Sequence, residues 1–181
     1  RAGIWGLDGT QIQAMPSSTP ILAGEVPIVA SIGSGFLQNG QAVYQISSTH
    51  IPFGAASSEL KPPAAHPEEN TIVIANFNGE RDWTWRGPHQ IQGLTPTPDG
   101  RRMVAGAGKR LSDTRRDLFG ALIFDLGTHA KSASLERFCR TDSPVFFRSA
   151  ATSDGRIALT EHPAKDGDNP AYGDYRVTVF R

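Results

Sequence analysis

The stretch TPTPDGRRMVAGAG, Thr95–Gly108, decides how the chain is read. Asp99-Gly100 is a turn pair: the Asp side chain bonds backbone nearby, and Gly takes the positive φ that tight hairpins require. One apolar segment precedes it, HQIQGL (His89–Leu94), and a second follows it, RRMVAGA (Arg101–Ala107). The same arrangement recurs. Asn39-Gly40 lies 60 residues earlier, between PIVASI (Pro27–Ile32) and QAVYQIS (Gln41–Ser47). Asp154-Gly155 lies 55 residues later, between VFFRSA (Val145–Ala150) and RIALTEH (Arg156–His162).

After a connector, each unit adds a third apolar run: TIVIANF (Thr71–Phe77), GALIFDL (Gly120–Leu126) and YRVTVFR (Tyr175–Arg181). A Gly turn and a more polar fourth strand follow the first of these, NGERDWTW (Asn78–Trp85). A weaker version follows the second, GTHAKSASLERF (Gly127–Phe138). The opening, AGIWGLDGTQIQAM (Ala2–Met15), has the same third strand, Gly turn and fourth strand. These runs are short, rich in Val, Ile and Phe, and bounded by turn residues, which favours strands. Ser132–Arg140 is the one stretch that also reads as a helix. The expected organisation is all-β: the end of one unit in residues 1–20, units at 26–86 and 88–138, and three strands of another at 143–181.

LTPTPDGRRMVAGA resembles the Ser-Pro-Asp-Gly pattern of β-propeller blades of the WD-repeat and TolB kinds. FFRSAATSDGRIALTE and FLQNGQAVYQIS are looser copies, the last with Asn in place of Asp. The Gly-His and Trp-Asp signatures of true WD repeats are absent, and the spacing of 55 to 60 residues exceeds the roughly 40–45 of that class. The resemblance implies four-stranded antiparallel blades stacked face to face, each covering a face its neighbour cannot bury alone. Propellers have about four to eight blades, and this chain supplies barely more than three. The implied fold is therefore a partial or split β-propeller, completed by a second chain or a missing segment. A β-sandwich with look-alike hairpins is the alternative.

The 181 residues are 38% hydrophobic and 20% charged, a composition that suits a folded domain with a core of its own. Lys plus Arg and Asp plus Glu both number 18, so no net field recommends nucleic acid or an anionic membrane as partner. No apolar run nears the roughly 20 residues of a membrane span. Cys139 is the single cysteine, which excludes an intrachain disulfide and fits a small buried hydrophobe. The sequence starts at Arg1 with no signal peptide in view, which suggests a processed chain or part of a longer one and leaves the compartment open.

Within each unit the Asx-Gly connector is tight and the next one is long: Ser48–Asn70, Gly106–Leu118 and Glu161–Gly173. In blades these long connectors share one end of the stack. Long connectors in compact domains are commonly binding elements. The first carries His50 and His66. The second carries Lys109, Arg110, Arg115 and Arg116 against Asp113 and Asp117. The third carries Glu161, His162, Asp166 and Asp168. Paired guanidinium groups hold planar anions, so Arg115 and Arg116 lead the candidate ligand-binding residues. His162 comes next, because an exposed His changes charge near neutral pH, and His50 completes the set. No metal is expected, since His50, His66 and His162 are irregularly spaced and no His-x-x-x-His pair occurs. A Gly-x-Ser-x-Gly elbow, a P-loop and an EF-hand loop are all missing, so neither a catalytic residue nor a cofactor is assigned. Trp83 and Trp85 fall on one face of an outer strand, suited to packing between sheets or to a partner contact.

The expected function is a non-enzymatic binding scaffold that contacts a protein or peptide through its long-connector end. Two alternatives differ in class. One is part of a propeller enzyme whose connectors line a pocket for a small polar or anionic substrate. The other is a propeller domain that gates a peptidase.

Overall fold

The structure is a computed structural model. It describes residues 3–5, 11–14, 21–23, 26–31, 34–37, 40–49, 68–76, 80–108, 116–127, 130–143, 145–152, 154–163 and 173–181. A hairpin comes first, formed by β1 (Gly3–Trp5) and β2 (Gln11–Ala14). Sheet one follows, with β3 (Ile21–Ala23), β4 (Val26–Ser31), β5 (Ser34–Phe36), β6 (Ala42–Thr49), β7 (Thr71–Ala75) and β8 (Arg81–Arg86). Its order is β3-β4-β6-β7-β8, with β5 also paired to β6. Sheet two is a meander of β9 (Ile91–Pro96), β10 (Arg102–Ala107), β11 (Gly120–Asp125) and β12 (Ser134–Arg140). Sheet three is a meander of β13 (Val145–Ala151), β14 (Ile157–Glu161) and β15 (Arg176–Phe180). Every pairing is antiparallel. Among the described residues there is no α-helix, and no pairing links sheet three back to sheet one. The all-β reading of the sequence therefore holds, as antiparallel sheets that do not close into a ring.

Of the two readings of Ser132–Arg140, the weaker fourth strand is the one the structure has. Ser132–Arg140 is not a helix. A 3-10 turn covers Ala130–Ser132, and Ser134–Arg140 is a strand paired to β11 from Asp125↔Ser134 to Gly120↔Arg140. Pairing along a buried neighbour overrides its modest helical preference. The expected opening strand of the first full unit, Pro27–Ile32, falls on β4 (Val26–Ser31), which pairs β6; β6 also takes β5, and β3 pairs β4.

The core lies between the sheets. Val43, Ile72 and Ile74 of sheet one meet Met103, Ala105, Leu122 and Phe124 of sheet two. Trp83 and Trp85 pack there too, both edge-on to Phe124 at 5.6 and 5.2 Å between ring centroids. On the opposite face of sheet two, Val104, Ala121, Ile123 and Cys139 meet Ile157 and Leu159 of sheet three. Side chains alternate across a strand, so β10 and β11 send residues into both interfaces. That is why their sequences read as continuous apolar runs rather than alternating ones.

The three Asx-Gly turns share their backbone bonds. The N–H of Leu37, Thr97 and Thr152 donates to the carbonyl of Gln41, Arg102 and Arg156 at 2.8–2.9 Å. The N–H of Gly40, Gly100 and Gly155 donates to the carbonyl three residues back at 2.9–3.1 Å. All three glycines have positive φ, at 81°, 68° and 86°. A β-branched residue there pays the left-handed penalty of about 1–2 kcal/mol. Gly100→Val is therefore expected to lower the urea unfolding midpoint by a corresponding amount, and Gly40→Val and Gly155→Val should do likewise. Unequal responses across the three would show that the turns do different jobs.

Candidate functional site

At the end of sheet three where the 161–173 connector is rooted, the described residues are built around a buried carboxylate. Glu161 closes β14, where the burial alternation of the strand turns it inward. Its side chain is fully buried, and both of its oxygens accept hydrogen bonds. Oε1 accepts from Arg176 Nε at 2.9 Å and from the Thr178 hydroxyl. Oε2 accepts from Arg176 Nη2 at 3.0 Å and from the Ser143 N–H at 3.1 Å. Arg176 Nη2 also reaches Asp142 Oδ2 at 2.8 Å. Hydrogen bonds to Glu161 first, and then to Asp142, raise the Arg176 pKa above its ordinary value. The hydrogen bond from Arg176 holds Asp142 below the usual carboxylate range.

The connector into sheet three is thereby locked. Thr141 N–H donates to the Phe119 carbonyl at 3.0 Å, and its hydroxyl donates to the Ser143 carbonyl at 2.7 Å. Gly173, with φ at 78°, comes so close to Ser143 that a Cβ there would lie 2.0 Å from Ser143 Oγ. Both roots of the 161–173 connector thus rest on residues 141–143. Nearby, His89 Nδ1 donates to the Leu118 carbonyl at 3.1 Å, and its ring sits 4.6 Å from Phe138. That contact fixes the protonated nitrogen as Nδ1.

Of the expected ligand-binding residues, Arg116 is exposed on a 3-10 turn, Arg116–Leu118. His162 is half-buried, with its ring edge-on to Tyr175 at 5.2 Å. His50 and Arg115 lie outside the described residues, as does most of each long connector. No group of three or more His, Cys, Asp or Glu side chains suited to a metal occurs among the described residues. Glu161 was legible only as one acid of the third connector. Its pairing with Arg176 joins residues fifteen apart across a long connector, and no local pattern announces that.

The opposite end carries a cleft that sequence reading passed over. It has a volume of about 330 Å³ and lies between the Thr97 and Thr152 turns, with Arg101, Arg102 and Asp125 among its walls. In the first turn Thr97 Oγ1 donates to Asp99 Oδ1 at 2.6 Å and accepts from Arg102 N–H at 2.9 Å. In the second, Thr152 donates to Asp154 and accepts from Arg156 N–H at 3.1 Å. The sequence signal was present: Thr stands two residues before Asp in both turns, where Leu37 stands in the first. Arg102 leans over the cleft and is held by Glu136 at 2.7 and 3.3 Å. Hydrogen bonds from Arg156 and then Thr152 hold Asp154 at a pKa of about 2. Those from Thr97 and the Arg101 N–H lower Asp99.

Compared with known proteins, the chain matches no family model and no curated sequence.

Arg176→Ala strands a buried carboxylate that keeps only the Thr178 and Ser143 bonds. The expected outcome is a clear fall in the urea unfolding midpoint, moderated because Arg176 is itself 40% exposed. For Asp154, the folded pKa lies below the unfolded value of 3.8. Its contribution is therefore full above pH 3.8 and is lost as pH falls toward 2. The stability gap between the parent and Asp154→Asn should close over that window, and a gap that persisted at its lower end would show that the carboxylate's charge is not what the turn uses.

Proposed function

We propose that this chain is a β-propeller segment acting as a non-enzymatic binding scaffold, with a protein or peptide held at the long-connector end. The rest of the ring is supplied by a second chain or a segment outside this sequence. Support for the propeller comes from three sheets stacked face to face, where a sandwich needs two, and from tight turns that share their backbone hydrogen bonds. The observation that carries the binding surface is the Glu161 cluster, which fixes both roots of a long connector to one short segment. A connector held at rigid roots has less freedom left to lose on binding. Arg116, on the neighbouring connector, is exposed, and a guanidinium in that position suits a carboxylate-bearing partner.

The cleft between the Thr97 and Thr152 turns favours a second reading, a small polar ligand bound at the opposite end. The two readings separate by mutation. The double change Arg115→Ala plus Arg116→Ala is expected to weaken capture of an acidic protein or peptide by about tenfold at low salt, less at high salt, with the circular dichroism spectrum unchanged. If that variant binds as the parent does while Asp125→Asn abolishes binding, the contact surface is the tight-turn end.

A further inference from the structure

The Asx-Gly turns put the three sheets in a common register. Across each turn the N–H of Leu37, Thr97 or Thr152 donates to the carbonyl of Gln41, Arg102 or Arg156, so these last three residues are equivalent. Two positions further along their strands stand Val43, Val104 and Ala158, whose partners on the next strand are Ile74, Ile123 and Val179. Two positions before those partners stand Ile72, Ala121 and Val177. Sheet two covers Val43, Ile72 and Ile74, and sheet three covers Val104, Ala121 and Ile123. Val177 and Val179 hold the same positions and are 66% and 60% exposed. Ala150, paired with Ala158, is exposed beside them. An antiparallel sheet with one face in water turns its apolar side chains in and its polar ones out. β15 does the reverse. Arg176, its charged residue, reaches inward to buried Glu161, as does Thr178. Both valines, alternating with them, point out. Elsewhere the chain does set charge where a strand meets water, since β12 exposes Glu136 and Arg137.

We infer that the outer face of sheet three is an interaction surface, and that its occupant is a further antiparallel sheet of this repeat laid face to face on Ala158, Val177 and Val179. The two interfaces already in the chain define that partner's chemistry. Each covering sheet presents aliphatic and aromatic side chains from its second and third strands: Met103, Leu122 and Phe124 over sheet one, then Ile157, Leu159 and Phe180 over sheet two. An acidic or basic partner finds nothing to pair with on Ala150, Ala158, Val177 and Val179, whereas an apolar sheet face gains by removing them from water. Sheet three need only continue the stack, which is the one part of the propeller reading on which this rests; the stack need not close.

Extending the full chain tests it. Phe180 pairs with Ile157 as Phe124 pairs with Met103, so Arg181 stands where Asp125 does. A duplicate of residues 126–181 joined after Arg181 therefore keeps the register and supplies the missing cover. Val177→Thr and Val179→Thr within the duplicate make its peptides distinct. Hydroxyl-radical footprinting read by mass spectrometry should find the original Val177 and Val179 reactive in the parent. In the extended chain both should fall to the level of buried Val104 and Ile123. Val177→Thr plus Val179→Thr in the original pair should leave the parent's urea midpoint unchanged, because Thr keeps the β-branched shape. The same change should lower the midpoint of the extended chain, where the hydroxyls would be buried. A folded duplicate that leaves the original valines reactive overturns the inference. So does a duplicate that stays unfolded, since the same residues fold on the equivalent face of sheet two, and so does a parent midpoint that falls, which would show the face already covered. Small-angle X-ray scattering separates this from the ring: protected valines in a straight stack keep the inference and sink the propeller.

Discussion

Sheet two cannot give a face to water, and the rest of the fold answers to that constraint. Met103, Ala105, Leu122 and Phe124 leave it on one side, and Val104, Ala121 and Ile123 on the other. Full burial of a large aliphatic or aromatic side chain is worth about 1.5–3 kcal/mol, so an uncovered face would forfeit several such terms at once. Sheets one and three are the covers. Along β10 and β11 water begins at the strand ends, where exposed Arg102 opens β10 and exposed Asp125 closes β11, and the outer strand β12 is exposed over Ser134–Arg137. Those two ends meet in the cleft. The polar site at the tight-turn end is thus a by-product of where the apolar stack stops.

Polar groups inside the stack act as fasteners between sheets. Thr95 of β9 donates to the Ser149 carbonyl of β13 at 3.1 Å, and Ser149 Oγ donates back to Thr95 Oγ1 at 2.7 Å. Gln45 Nε2 of β6 reaches the Ile91 carbonyl at 3.3 Å. These bonds tie the inner strands of neighbouring sheets, where a slip would cost unpaired buried groups. Exposed pairs such as Arg81–Glu68 are of a different order, worth about 0–1 kcal/mol each. Glu161 stands apart from both, because its charge is fully buried and its partner comes from the far side of a long connector.

Architecture was more legible in this sequence than the site. Turn chemistry is local, so Gly40, Gly100 and Gly155 declared their hairpins, and the apolar runs between them declared strands. Trp83 and Trp85 announced their common face by spacing alone, and the structure puts both against Phe124. Ser132–Arg140 read two ways, as a weaker fourth strand and as a helix, because its own composition tolerates a helix; its pairing with β11 makes it a strand. The Glu161 cluster was hidden for a related reason. Asp142, Ser143, Glu161, Arg176 and Thr178 come from three separate stretches, and their convergence depends on how β14 and β15 fold back. The cleft depends on two turns meeting across a sheet interface, which no single stretch encodes.

Cys139 gives the second interface a built-in clock. Its thiol is 9% exposed and belongs to the cluster between sheets two and three. Burial pushes its pKa up, so the reactive thiolate is scarce while the sheets stay together. Excursions that part β12 from sheet three expose it to an alkylating reagent. With no second cysteine in the sequence, the labelling of the whole protein reports on that one seam. The residue with the least chemistry to offer in the folded state thereby becomes the most direct witness to how often the stack comes apart.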